Sequence, residues 1–132
     1  MSDTRASAFL RRVLFADAAC SGAMGLLLIL AAPVLASVLS LPEALLRETG
    51  IVLLPFAAFV AWLALRPTLP RVPVWVVIAL NVLWVVDSII VLLSGWVAPN
   101  ALGYAFVIGQ AAVVAVLAEL EYTGLRRAAI AV

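Results

Sequence analysis

The stretch "VWVVIALNVLWVVDSIIVLL", residues 74–93, decides the fold. A bilayer core is crossed by about 20 consecutive apolar residues in a helix, and this segment is that long. Its neighbours extend the reading to the whole chain. Of 132 residues, 67% are hydrophobic and 11% are charged, and the mean hydropathy is +1.27. A soluble domain is about half apolar and about a quarter charged. A water-soluble fold of this size has too little interior to hide so much apolar surface, so the fitting solvent is lipid. The chain has room for about four crossings and little else. The expected fold is therefore all-α: a single transmembrane domain spanning residues 1–132, built as a polytopic four-transmembrane-helix bundle.

The four helices are expected at about residues 10–36, 48–65, 73–94 and 102–124. The first follows Arg11 and Arg12 and could pass for a signal peptide. Signal h-regions run only about 7–15 residues; this apolar run is longer and is read as a retained helix. Pro33 is expected to end or kink it, because proline removes a backbone donor. "VLSLPEALLRETG" then reads as a loop with a short interfacial turn. Pro55 falls inside the second helix, where lipid tolerates a kink if neighbours satisfy the freed carbonyl. "RPTLPRVP" and "GWVAPNALG" are breaks marked by Pro, Gly and Asn.

All eight basic residues are Arg, and they are placed asymmetrically. The N-terminus carries Arg5, Arg11 and Arg12, the middle loop Arg66 and Arg71, and the C-terminus Arg126 and Arg127. Only Arg47 lies in the other loops. The positive-inside rule places both termini in the cytoplasm. Trp62, Trp75, Trp96 and Tyr122 fall near expected helix ends, at the headgroup level that amphipathic rings favour. Trp84 is the exception.

Several function classes drop out. A net charge of +1 gives no basic surface for nucleic acid. The chain has no His, which removes bis-His haem ligation and the usual metal sites, so no cofactor and no metal are expected. Cys20 is a lone thiol that can form neither an internal disulfide nor a CxxC pair. There is no phosphate loop, no HExxH and no GxSxG elbow. No catalytic residue is assigned, and nothing in the sequence supports an enzyme.

What remains is a small set of polar residues in apolar helices. Asp87 lies between Trp75 and Trp96, about 18 Å and about 13 Å from them along a helix, which puts it near the bilayer centre. A central Asp costs about 2.5–3.5 kcal/mol on insertion scales, so a hydrogen bond, a proton, a wet cavity or a ligand must offset it. Ionisable groups at that depth mark functional sites by default. Asn81 and Ser88 are seven apart and share a face. Asp87 falls about 120° round from Asn81, with Trp84 between them. Gln110 is the corresponding group on the fourth helix, on the face of Val114, Leu117 and Glu121. Asn81, Trp84, Asp87, Ser88 and Gln110 are expected to form one interior polar cluster, with Gln110 bonding Asn81 or Asp87 across helices. Asp17, Glu119 and Glu121 form a second layer at the cytoplasmic end, expected to be neutralised by Arg126 and Arg127. Ala18, Ser21, Gly22 and Gly25 are small residues at four-residue spacing that let helix backbones approach closely, within one chain or in a dimer.

The stretch "LRRVLFADAACSGAMGLL", residues 10–27, carries a resemblance. An Arg at the start of the first helix, the Ser21–Gly22 pair about ten residues on, and four helices in this length resemble the DoxX-like group of small bacterial membrane proteins. That resemblance implies a bacterial cytoplasmic membrane and an accessory role in a larger membrane complex. The leading expectation is a small non-enzymatic membrane protein, an accessory subunit or a ligand-binding homo-oligomer, whose surroundings are the lipid bilayer. The alternative is a proton-coupled small-molecule transporter or channel using Asp87 and Asp17. A distant third is a membrane enzyme acting on a lipid or isoprenoid substrate.

Overall fold

The computed structural model describes residues 2–131, with side chains from 7 to 128. The side chain of Arg5, one of the charges counted above, lies outside the described residues. The chain is helical throughout, in the order α1 (Ser2–Leu30), α2 (Ala32–Leu39), α3 (Glu43–Ala64), α4 (Arg71–Leu93) and α5 (Ala101–Ala131). Four of these, all but α2, are long and apolar enough to cross a membrane. They mark an integral membrane protein. Outward-facing Leu30, Leu65, Val72, Leu93 and Leu102 are exposed, as expected where lipid is the solvent.

The helix expected over 10–36 divides at Ala31. Pro33 sits in the first turn of α2, where a missing N–H is harmless because that group has no intrahelical partner anyway. The proline therefore opens a short helix and does not simply end the long one. α2 stops at Ser40, whose φ of 56° is left-handed, and α3 starts three residues later. Most of the expected interfacial loop is thus helix. Pro55 lies inside α3 on an exposed face, and the helix continues through it.

Two caps tie the ends of the helices together. Asn100 accepts a hydrogen bond from the Gly103 N–H at 2.8 Å, the N-cap geometry that satisfies a free donor of α5. Its amide Nδ2 donates to the Val38 carbonyl at 2.8 Å, so one side chain caps α5 and holds the end of α2. At the opposite end, Arg11 donates to the carbonyls of Ala64, Arg66 (2.6 Å) and Pro67 (3.3 Å). A guanidinium here suits the negative end of the α3 dipole.

The long helices are arranged as an open ring. α1 packs along α3 and against α5, α5 packs along α4, and α4 barely touches α3. One apolar core lies toward the α3–α4 loop, with Leu10, Leu14, Val60, Leu63, Val77 and Leu125 among its members. A second lies toward α2, around Leu28, Ala32, Leu46, Leu53 and Val97. Between lipid-facing helices the apolar driving force is weak, so close backbone approach and polar contacts carry the association. The α1–α3 pair shows the first. A Cβ on Gly50 would stand 2.7 Å from the Gly25 carbonyl oxygen, and one on Gly25 would stand 3.2 Å from the Gly50 carbonyl oxygen. Gly25 belongs to the small-residue stripe of the sequence; its partner Gly50 was not part of that pattern. Gly22 is looser, with Ala57 Cβ at 3.7 Å from an added Cβ. Ala18 packs against the first core.

Gly50→Ala should therefore separate α1 from α3 and lower the thermal midpoint of the detergent-solubilised protein by several degrees, while Gly22→Ala leaves it within about a degree. Differential scanning fluorimetry of both variants checks this. Equal midpoints would mean that the Gly25–Gly50 crossing does not hold the pair.

Candidate functional site

Between the two cores lies a polar layer. Asp17 on α1, Asn81 on α4 and Glu121 on α5 are 1%, 4% and 0% exposed. Asn81 Nδ2 donates to Asp17 Oδ2 at 2.8 Å and to Glu121 Oε1 at 2.8 Å. Both hydrogens of one amide are thus used on two carboxyl groups from two other helices. In this orientation the amide's donors, and not its carbonyl oxygen, meet the carboxyl oxygens. Ser21, one turn from Asp17, donates to Asp17 Oδ1 at 3.1 Å. Glu121 Oε2 is buried with no hydrogen-bond partner.

The expected cytoplasmic-end layer is distributed differently. Asp17 and Glu121 turn inward, and their partner is Asn81. Glu119 is exposed on an outer groove between α4 and α5 that also holds Val82 and Tyr122. Two residues apart on a helix means about 200° of rotation, so Glu119 and Glu121 cannot share a partner. Arg126 and Arg127 lie about 140° and about 240° further round α5 than Glu121 and are both exposed. Arg127 sits over the Phe9 ring at 5.6 Å. Among the described residues the ion pair is Arg47–Glu43 at 3.4 Å, on the surface; the acids of the buried layer have no cation.

The expected central cluster is likewise divided. Trp84, Ser88 and Gln110 form a network joining α4 to α5. Trp84 Nε1 donates to Gln110 Oε1 at 2.7 Å. Gln110 Nε2 donates to Ser88 Oγ at 3.0 Å and to the Val107 carbonyl at 3.0 Å. The Ser88 hydroxyl donates to the Trp84 carbonyl at 2.8 Å. Gln110 thus bonds Trp84 and Ser88, while Asn81 turns to the acids. Asp87 joins neither group. It is exposed, and it lines a cleft.

That cleft has a volume of about 610 Å³. It opens where α3 and α4 part, and all four long helices line it. Met24 and Leu27 of α1, Leu53 and Phe56 of α3, and Val114 and Leu117 of α5 are typical of its walls. Its polar groups are few: Ser21, Asn81, Trp84, Asp87 and Gln110, with the Cys20 thiol nearby. Asn81 and Ser21 therefore touch both the cleft and the acid pair. Small-molecule sites are commonly about 300–1,000 Å³, mostly apolar, with a few convergent polar groups, and this cleft has those properties.

Comparison with known proteins gave no match: no protein-family model, no curated protein and no solved structure corresponds to the chain.

Asn81→Leu removes the donor shared by Asp17 and Glu121. It should cost about 1–3 kcal/mol, the sum of two interhelical hydrogen bonds in a membrane. Adding Asp17→Asn should recover part of that loss, since the new amide can donate to Glu121. Unfolding in mixed micelles followed by circular dichroism measures both. A fully stable Asn81→Leu variant would mean that the bridge contributes nothing.

Proposed function

We propose that the chain is a small, non-enzymatic integral membrane protein that binds an amphiphilic small molecule in the cleft between α3 and α4. In this reading it is a four-helix bundle of a bacterial cytoplasmic membrane with both termini in the cytoplasm, as the arginine asymmetry favours. Its role is that of a ligand-binding homo-oligomer or an accessory subunit, the latter following the resemblance of the first helix to DoxX-like proteins. The observation that carries the reading is the cleft itself. It is large enough for a molecule of drug or lipid-fragment size, it is lined by two helices with few contacts to each other, α3 and α4, and most of its polar groups lie on α4 and α5.

One observation favours a second reading, proton-coupled movement of the bound molecule. The Asp17–Glu121 pair is a buried place for a proton, and it connects to the cleft through Asn81 and Ser21.

Trp84 lines the cleft and reports its occupancy. In a variant with Trp62, Trp75 and Trp96 replaced by Phe, brominated aromatic amphiphiles should quench the remaining fluorescence saturably. Unbrominated analogues should compete. Filling the space with Val114→Trp in a Trp84→Phe background should abolish competition by the same analogues for a thiol-reactive probe at Cys20. Quenching that rises linearly with probe concentration, with no competition, would mean partition into detergent and no binding site.

A further inference from the structure

We propose that the molecule bound in the cleft is an organic cation, an amine or a similar monocation on an apolar body, with its charged end received at Asp87. This rests on the cleft being a binding site and names the ligand class that its charges select.

Asp87 stands seven residues before Ser94, about 10 Å inside that end of α4. At that depth a carboxylate needs a partner. Among the described residues it has neither a hydrogen bond nor an ion pair, although its neighbours Trp84 and Ser88 are fully engaged with Gln110. It is not sealed away as a neutral bond between helices; it lines the cleft.

The other charges near the cleft all have the same sign. α1 contributes Asp17, one hydrogen bond behind Ser21. α5 contributes Glu121, one hydrogen bond behind Asn81, with a buried and unpartnered Oε2. α3 offers Val52, Leu53 and Phe56 and no charge, and no Arg lines the cleft from any helix. Arg12, the basic side chain of α1 closest in sequence to Asp17, is exposed, and Arg11 is held by the carbonyls of Ala64, Arg66 and Pro67. A carboxylate lining an apolar cleft, backed by two further acids and with no cation facing it among the described residues, disfavours an anion and favours a monocation. The walls then select against an inorganic ion, since they offer an apolar body its contacts and a Trp ring that a cation can approach.

The test uses the full chain in a neutral detergent and matched probes on one skeleton: a bromonaphthylmethylamine, cationic at pH 7, and the corresponding alcohol. Fluorescence of Trp84, in the variant with the other three Trp replaced by Phe, gives both affinities. The amine should bind at least about tenfold more tightly, the order expected of one charged hydrogen bond. Asp87→Asn should bring the two within about twofold and leave the alcohol unchanged; Asp87→Ser serves if Asp87→Asn alters the circular dichroism. Equal affinities in the parent chain would overturn the cation proposal and leave the cleft a neutral amphiphile site. No saturable binding of either probe would overturn the cleft reading and the proposal with it. A preference that survives at Asp87→Asn and vanishes at Asp17→Asn or Glu121→Gln would overturn Asp87 as the receiving group.

Discussion

One amide holds the molecule's middle together. Asn81 joins α4 to α1 and α5 at once, at 2.8 Å in each direction. Apolar side chains gain little from leaving lipid for each other, so such a bond has more weight here than the same bond on a soluble protein's surface. It also satisfies two buried acids that would otherwise face hydrocarbon. It helps to position α4, together with the first apolar core, in which Val74 and Val77 of α4 pack with Val60 and Leu63 of α3.

The residues around this bridge divide the labour. Gly25 and Gly50 bring the α1 and α3 backbones together, and Trp84, Ser88 and Gln110 fasten α4 to α5. Asn100 and Arg11 close the two ends. None of these contacts fills the gap between α3 and α4. Among the described residues, Asp87 lines the cleft without a hydrogen bond or ion pair, and Glu121 Oε2 is buried without a donor.

The four long helices were legible because length and hydropathy suffice where the solvent is lipid. Their ends were less so: α1 and α5 run well beyond the apolar stretches, since nothing in "SDTRAS" or "LRRAAIA" breaks a helix. The polar residues were legible as a set, but their partners were not. Asn81 was grouped with Asp87 by depth along its own helix, whereas pairing depends on the tilt and offset of neighbouring helices, which a single helix does not encode. The face shared by Gln110, Val114, Leu117 and Glu121 was visible in the spacing, and it separates Glu121 from Glu119. What could have been weighed further is that Arg126 and Arg127 lie off that face. Gly50 escaped notice because it sits alone, and its meaning appears only when Gly25 is set against it.

The central claim is that Asn81 bridges Asp17 and Glu121, and solid-state NMR of the lipid-reconstituted protein tests it most directly. The chain has only Asn81 and Asn100 as asparagines, so ¹⁵N side-chain labelling of Asn with ¹³C-labelled Asp and Glu gives few signals. The account predicts dipolar couplings from Asn81 Nδ2 to the carboxyl carbons of both Asp17 and Glu121, at the separation of about 4 Å or less that hydrogen bonding implies. Coupling to neither carbon, or to Asp87 in their place, would contradict it.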